Sequence, residues 1–252
     1  MAKKQQSQVG SNLTVDARRQ AIITLMHQAG PRCGLSARSA FQRWLRLIES
    51  DICCPIEGCS RLTPDRECDA LHTCRQVRKQ AWDLRVDGLK QAMPLFVEAL
   101  AHLYLHYREN FEDLLGPIFE TMGLGGKDGI FFTPWDLAQL MTNMITTDLR
   151  DVEEKECITV YDPACGSGVM LLAFLAHVST KRPDLYHKVR PYGQDINEDC
   201  VRMCRISLRL VSFARAERLV AAYEAGDLGV ALELHAHANP PPEKGTDRHG
   251  DQ

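Results

Sequence analysis

The stretch that decides the fold reads Cys157-Ile158-Thr159-Val160, followed by Tyr161-Asp162-Pro163-Ala164-Cys165-Gly166-Ser167-Gly168. Its first part is short, apolar and β-branched, which predicts a strand over 157–161. An acidic residue and a tight glycine turn after a strand are how an α/β sheet presents a nucleotide-like ligand at its edge. Gly166 and Gly168 allow backbone conformations and a close approach that a Cβ would block. The apolar run that follows predicts a buried helix over 169–177, whose N-terminus faces the same ligand.

The alternation of strand and helix continues after this loop. Residues 191–194 predict a second strand that ends in Asp195, and residues 198–211 predict a helix that can extend to residue 218. A weak third strand is expected at 221–225. The β–α–β–α order implies a parallel, doubly wound sheet.

The chain before the loop shows helical periodicity instead. The predicted helices cover 16–29, 36–52, 77–93, 95–107 and 111–122. Gly30-Pro31 is expected to end the first helix, and Pro94 to open or kink the fourth. The sequence therefore predicts an all-helical N-terminal domain followed by an α/β domain. The expected boundaries are a disordered tail at 1–14, the helical domain at 15–125, the α/β domain at 126–238 and a disordered tail at 239–252.

A helix start is also expected at Thr133-Pro134. Thr133 would be the N-cap, Pro134 the first helical residue and Asp136 the third. The apolar residues of this helix are expected to form a buried stripe, made of Leu137, Leu140, Met141, Met144, Ile145 and Leu149.

Composition bounds the function classes. The chain has 252 residues, of which 44% are hydrophobic and 25% charged, as in ordinary globular proteins. Its net charge of −3 gives no global signal for nucleic acid, so a DNA contact needs a local patch or a partner. No stretch approaches the roughly 20 apolar residues of a membrane span, and residues 1–8 lack the apolar core of a signal peptide. Ten cysteines without a secretion signal favour a reducing cytosol, so we expect a cytoplasmic protein without membrane contact.

Three motifs together resemble the N6-adenine DNA methyltransferases. They are Gly129-Ile130-Phe131-Phe132-Thr133-Pro134, the glycine loop 161–168, and Tyr192-Gly193-Gln194-Asp195-Ile196-Asn197. Their order matches the gamma arrangement of that family. Over residues 109–228 the chain is most similar to the modification subunit of type I restriction-modification systems, and the preceding helices would correspond to that subunit's helical N-terminal domain. The resemblance implies a Rossmann-like methyltransferase sheet.

The resemblance also implies S-adenosylmethionine as the cofactor. Asp195 would accept hydrogen bonds from both ribose hydroxyls, Asp162 would lie near the methionine amine, and Asp227 would meet the adenine amine. The implied cofactor-binding residues are Phe131, Phe132, Thr133, Pro134, Asp162, Pro163, Ala164, Cys165, Gly166, Ser167, Gly168, Asp195, Ile196 and Asp227. Taken singly, Asp162 can be a turn residue at a strand end, Asp195 a helix cap, and the two phenylalanines core residues.

Catalysis in that family relies on Asn-Pro-Pro or Asp-Pro-Pro followed by an aromatic residue. The polar side chain and a proline carbonyl accept the hydrogens of the target amine, and the aromatic ring stacks on a flipped-out base. This chain has Asn239-Pro240-Pro241-Pro242, so Asn239, Pro240 and Pro241 are the candidate catalytic residues, whereas Pro242 offers no π face. The alternative interpretation is a polyproline tail.

The resemblance implies site-specific adenine-N6 methylation of DNA in a restriction-modification context. DNA, a sequence-recognition subunit and a restriction subunit are the expected partners. Two alternatives stay open. One is a truncated, non-catalytic protein that binds cofactor, DNA or a restriction subunit, and the other is a methyltransferase acting on RNA or a protein amide.

Cysteines and arginines suggest further sites. Potential zinc ligands cluster within 22 residues, namely Cys53, Cys54, Cys59, Cys68, His72 and Cys74. Because no Cys-x-x-Cys knuckle is present, unpaired thiols are favoured over zinc, and no metal is expected. Cys165 is interpreted as a small packing residue. Arg202, Arg205 and Arg209 lie at helical spacing. One interpretation is a phosphate-contacting face. The other is a solvated face balanced by Glu198, Asp199 and Glu217.

Overall fold

Helices dominate the computed structural model, which describes residues 13–52, 88–125, 129–146, 149 and 154–224. The elements are α1 (Val15–Arg32), α2 (Ala37–Ile52), α3 (Leu89–Glu109), α4 (Leu115–Thr121), α5 (Trp135–Ile145), β1 (Ile158–Asp162), α6 (Val169–Lys181), a 3-10 helix (Pro183–Lys188), β2 (Val189–Gly193) and α7 (Glu198–Glu224). The chain divides into two units, residues 1–214 and 215–252. The second unit is described only where it contains the end of α7.

Helix α1 begins at an N-cap and runs past its expected end. The Thr14 hydroxyl accepts a hydrogen bond from the Ala17 amide at 3.2 Å, as an N-cap does. The helix continues through Gly30 and Pro31 to Arg32, so the predicted stop at Gly30-Pro31 is wrong. The Cys33 amide donates to the carbonyls of Ala29 and Gly30, which closes the last turn around the proline. Gly30 serves a close approach instead, because a Cβ there would lie 2.8 Å from the Leu35 carbonyl oxygen.

Helix α3 is continuous across Pro94. The predicted break between helices 77–93 and 95–107 is therefore wrong in the part of the chain from residue 88 onward, and residues 77–87 lie outside the described residues. Pro94 lies in the second turn, where it removes the single hydrogen bond that its own amide would donate. Helix α4 is shorter than predicted and begins at Leu115 instead of residue 111.

One apolar core joins the helices before residue 125 to the α/β part. Its buried side chains come from α1, α2, α3 and α4, and also include Leu172 of α6 and Met203, Ile206 and Leu210 of α7. Trp44 of α2 lies within it, 1% exposed, and donates its indole N–H to the Phe96 carbonyl at 2.9 Å. The division into domains at residue 125 stays a prediction, and the core extends across that position.

The two strands form a parallel β–α–β unit. Ile158 lies opposite Val189 and Asp162 opposite Gly193, and α6 connects the strands. Both strands were predicted within two residues at either end. The predicted third strand at 221–225 is wrong over its described part, since residues 221–224 continue α7. Alanine and glutamate there favour helix. Among the described residues the sheet therefore has two strands.

Helix α5 packs by the side opposite to the one expected. It begins at Trp135 with Pro134 at the N-cap, so Thr133 is not the cap. The buried side chains are the small residues Ala138 and Thr142. The stripe predicted to be buried is exposed except for Leu149, and its exposed members are Leu137, Leu140, Met141, Met144 and Ile145. Ala138 allows a close approach to Val169 and Ala173 of α6, which the larger side chains would prevent.

No helix in the described parts of the chain is long and apolar enough to cross a membrane.

Candidate cofactor-binding site

Two carboxylates lie at neighbouring strand ends. Asp162 is the last residue of β1, and Asp195 follows the end of β2 by two residues. The Gln194 amide donates to the Asp162 carbonyl at 2.9 Å, and the Cys165 amide donates to the Gln194 carbonyl at 2.9 Å. These two bonds continue the pairing beyond the strands and bring both carboxylates to one edge of the sheet. That edge, at the carboxyl ends of parallel strands, is where α/β proteins bind ligands.

The glycine loop 161–168 is a tight turn held by Asp162 within the loop and by Asp195 beyond the end of β2. The Ala164 amide donates to Asp162 Oδ1 at 3.0 Å, so Asp162 also has the turn role considered above. The Gly166 amide donates to Asp195 Oδ2 at 2.9 Å, which joins the loop to the end of β2. Gly166 has φ +52° and Gly168 φ +98°, in the left-handed region that favours glycine. A Cβ on Gly168 would lie 2.9 Å from Cys204 Sγ.

Asp195 does not cap α7. Its Oδ1 accepts from the Asn197 amide at 2.9 Å, and the Asn197 side chain accepts from Asp199 and Cys200 at the start of the helix. The cap interpretation therefore belongs to Asn197. Ile196, between them, is fully exposed. This places an apolar side chain in solvent directly beside a carboxylate.

The two phenylalanines differ in exposure. The Phe131 side chain is 89% exposed. Phe132 is half-buried, packs edge-on against Phe119 with ring centroids 5.8 Å apart, and donates its amide to Glu120 Oε1 at 2.9 Å. A Cβ on Gly166 would lie 3.1 Å from the Phe132 ring, so this ring supports the loop from beneath. Thr133 is half-buried and Pro134 exposed.

Sequence reasoning missed an aromatic pair on the exposed face of the sheet. Tyr161 and Tyr192 lie opposite each other in the strand register and stack with centroids 5.4 Å apart. The Tyr161 hydroxyl donates to Gln194 Oε1 at 2.8 Å. Both side chains are more than half exposed. Each tyrosine lies one residue before the end of its strand, and this matching position was the signal in the sequence.

Cys165 is buried beneath the loop. A hydrogen bond with the Cys204 thiol lowers the pKa of Cys165 and raises the pKa of Cys204. A Cβ on Gly193 would lie 2.9 Å from Cys165 Sγ, so the sulfur fills the space between loop and strand. This burial, at 3% exposure, agrees with the interpretation of Cys165 as a packing residue.

Sequence reasoning also missed Asp113. This residue lies between α3 and α4, is 4% exposed, and accepts a hydrogen bond from the Ser167 hydroxyl of the glycine loop. Its position two residues before α4 could have indicated a helix cap. Nothing in the sequence indicates the contact with Ser167, which is 54 positions away.

Arg202 and Arg205 of α7 form an ion-pair network with Glu49 of α2. Arg202 contacts Glu49 at 2.7 Å and Asp199 at 2.5 Å, and its side chain is 12% exposed. Arg205 also pairs with Glu49. Arg202 is thus balanced by Glu198 and Asp199, as the second interpretation expected, although its side chain is largely buried and not solvated.

Several predicted site residues lie outside the described residues. They are the candidate catalytic residues Asn239, Pro240 and Pro241, the acidic residue Asp227, and the cysteine-rich cluster at 53–74. Within the described ranges, no three or more His, Cys, Asp or Glu side chains are placed to hold a metal ion.

A known protein family matches the part of the chain that contains the glycine loop. Residues 110–221 match the family N-6 DNA Methylase. The matched segment contains the loop, both carboxylates and Asp113, and it confirms the resemblance indicated by the three motifs.

One curated relative is the Type I restriction enzyme MpnII methylase subunit of Mycoplasma pneumoniae (strain ATCC 29342 / M129 / Subtype 1). The chain is 30% identical to it over 110 residues, which cover 41% of this chain and 19% of that protein. The chain thus matches about a fifth of the length of that relative. No solved structure matches the chain.

Proposed function

We propose that this chain carries the S-adenosylmethionine site of an adenine-N6 DNA methyltransferase of the restriction-modification type. The observation that carries the proposal is the pair of carboxylates, Asp162 and Asp195, at neighbouring ends of two parallel strands. The Ala164 amide donates to Asp162 and the Gly166 amide to Asp195, inside the segment that matches N-6 DNA Methylase. A complete Rossmann-like sheet is part of the proposal, and the parallel β–α–β unit of the described residues supports it.

The residues of the site fit the chemical groups of that cofactor. Asp195 accepts two backbone amides and keeps lone pairs for ribose hydroxyls, because a carboxylate offers about four acceptor positions. Ile196 presents an exposed apolar side chain for an adenine ring. Asp162 supplies negative charge for a methionine ammonium group, and the exposed Phe131 ring lies in the motif assigned to the methionine side. The turn at Gly166 and Gly168 allows the ligand to approach the backbone.

The chemical step would need positioning more than acid–base catalysis. When bound, S-adenosylmethionine supplies an activated methyl group on a sulfonium. Asn239 and the Pro240 carbonyl would accept the hydrogens of the adenine amine, which makes its nitrogen lone pair available in line with the methyl group. Positioning and fixed dipoles of this kind can supply much of a rate enhancement. Asp227 would accept from the adenine amine of the cofactor.

DNA is the proposed substrate, in the cytoplasm. The net charge of −3 and the internal pairing of Arg202 and Arg205 leave much of the DNA contact to partners. A sequence-recognition subunit and a restriction subunit would fill those roles, in keeping with the relative named as a methylase subunit of a type I restriction enzyme.

One observation favours a second candidate function. The exposed side of α5 carries five large apolar residues, which is typical of a surface that another polypeptide covers. On this view the chain binds cofactor but has no catalytic activity without a partner. An RNA or protein-amide substrate is the remaining alternative, which substrate competition separates from DNA.

The test is transfer of labelled methyl from S-adenosylmethionine to unmethylated DNA by the purified chain. The proposal predicts N6-methyladenine in the DNA and its loss in Asn239→Ala. Cofactor binding without transfer would support the second candidate. Absence of cofactor binding would contradict both.

A further inference from the structure

A buried carboxylate lies directly beneath the glycine loop. Asp113 accepts with Oδ1 from the amides of Leu115 at 3.1 Å and Gly116 at 3.2 Å, and with Oδ2 from the Ser167 hydroxyl. Burial raises the pKa of Asp113, and these hydrogen bonds act in the opposite direction. Three donors therefore satisfy a group whose burial would otherwise be costly.

Ser167 is the middle residue of the Gly166-Ser167-Gly168 segment that ends the glycine loop. It lies between two glycines with positive φ, and it is 0% exposed, so its hydroxyl is directed to Asp113 and not to solvent. The backbone on either side is fixed separately. The Gly166 amide donates to Asp195, and the Gly168 amide donates to the Cys165 carbonyl at 2.7 Å. Asp113 thus holds the Gly166-Ser167-Gly168 segment through the Ser167 side chain.

The space around this contact is full. A Cβ on Gly116 would lie 2.6 Å from Ser167 Oγ and 3.0 Å from Phe132 Cγ. The Phe132 ring in turn lies against Gly166. Since α4, the Phe132 ring and the loop are in close contact, the loop has no space to shift toward α4. The Asp113–Ser167 hydrogen bond lies within this packed region.

Resting on the proposed function, we propose that Asp113 is a positioning residue of the cofactor loop. By accepting from Ser167 it orients the Gly166-Ser167-Gly168 backbone for S-adenosylmethionine, without touching the cofactor. The competing role is a cap of α4 alone, through Oδ1. The two roles use different oxygens of one carboxylate, so variants can separate them.

Three variants make the separation. Ser167→Ala removes the bond to the loop and leaves the cap of α4 in place. Asp113→Asn keeps the shape of the side chain and removes the charge to which Ser167 donates. Ser207→Ala is the matched control, because Ser207 is also 0% exposed and its Oγ lies 2.7 Å from the Tyr107 hydroxyl, in the helical core. It therefore removes an equally buried serine hydrogen bond that involves no residue of the loop.

Two readouts apply to each variant: the calorimetric Kd for S-adenosylmethionine, and hydrogen exchange of the Gly166 and Gly168 amides without cofactor. We expect Ser167→Ala and Asp113→Asn to weaken binding roughly tenfold, as loss of a hydrogen bond to a charged group does. Both should speed exchange at the two glycines, while Ser207→Ala leaves Kd and exchange near the wild-type values.

An unchanged Kd in Ser167→Ala, or an equal weakening in Ser207→Ala, would overturn the positioning role. Unchanged exchange in Ser167→Ala would overturn it too, whatever the affinity. Wild-type protein that binds no S-adenosylmethionine would refute the proposed function and the cofactor role of Asp113 with it. The exchange data would still show separately whether Asp113 holds the loop.

Discussion

The helices before residue 125 and the helix α5 use their apolar side chains in opposite ways. In α1, α2 and α3 the large apolar residues are buried in one core, where Leu103, Trp44 and Phe41 are at most 1% exposed. In α5 the large apolar residues are exposed, with Met144 at 72% and Ile145 at 75%. Both regions show the same helical periodicity in sequence. Periodicity therefore predicts which side chains share a face, but not whether that face is covered.

The same contrast separates the two faces of the small sheet. Toward α6 the strands place Val160 and Val189 against buried neighbours, whereas Tyr161 and Tyr192 stack in solvent on the other face. Parallel sheets are normally covered on both faces. The exposed side of α5 and this face of the sheet are both surfaces where large apolar or aromatic side chains meet solvent.

The largest expected effect comes from replacing a leucine by alanine in the helical core and, for comparison, on the exposed side of α5. Leu103→Ala should lower the free energy of unfolding by about 2 to 5 kcal/mol, because Leu103 is fully buried. Leu140→Ala, at a side chain that is 56% exposed, should change it by less than about 0.5 kcal/mol. Urea unfolding of both variants measures the difference. A large loss in Leu140→Ala would mean that the α5 face is covered in solution, which unfolding at two protein concentrations would reveal.

A second prediction concerns pH and the helical core. Burial lowers the pKa of His106 to about 4 from an ordinary value of 6.5, and its Nε2 lies 2.7 Å from the Glu112 carbonyl oxygen. Between pH 6.5 and 4 the unfolded chain binds the proton more readily than the folded chain, so stability falls as pH falls through that window. From pH 7 to 5 the contribution lost is about 2 kcal/mol.

The check is urea unfolding at both pH values for the wild type and His106→Gln. The variant should lack about 2 kcal/mol of the pH dependence. Because Glu112, Asp113 and His102 also have shifted pKa values, the difference between the two proteins is the quantity to compare. Equal pH dependence in both would show that His106 is not held neutral.

The smallest expected effect is the difference in stability loss between two glycine-to-alanine variants. One variant introduces backbone strain alone, and the other adds a steric clash. Gly34, at φ +63°, has open space where a Cβ would lie, whereas a Cβ on Gly168 would meet Cys204 Sγ at 2.9 Å and Cys204 Cα at 3.2 Å. Gly34→Ala should cost about 1 kcal/mol for left-handed backbone alone. Gly168→Ala should cost about 1 to 2 kcal/mol more. Thermal unfolding of the pair gives the comparison, and equal losses would contradict the close packing beneath the loop.

Local signals predicted the loop and its strands because the chemistry is local. Strand residues, an acid and two glycines within 12 positions indicate a strand–turn–helix without knowledge of the rest of the chain. The packing side of α5 could not be predicted, because small residues on one side of it allow a closer approach to α6 than the apolar stripe does. The helix breaks expected at Pro31 and Pro94 failed because a proline removes only one amide hydrogen bond, and packing of α1 and α3 in the common core outweighs that loss. Asp113 was missed because its partner is distant in sequence.

The most direct test of the cofactor site is calorimetric titration of S-adenosylmethionine into the wild type, Asp195→Ala and Asp184→Ala. Asp184 is an exposed carboxylate that pairs with Arg182, so its variant controls for the loss of one negative charge. The account predicts binding by the wild type and by Asp184→Ala, with at least about tenfold weaker binding by Asp195→Ala. Absence of binding by the wild type, or equal affinity in Asp195→Ala, would contradict it.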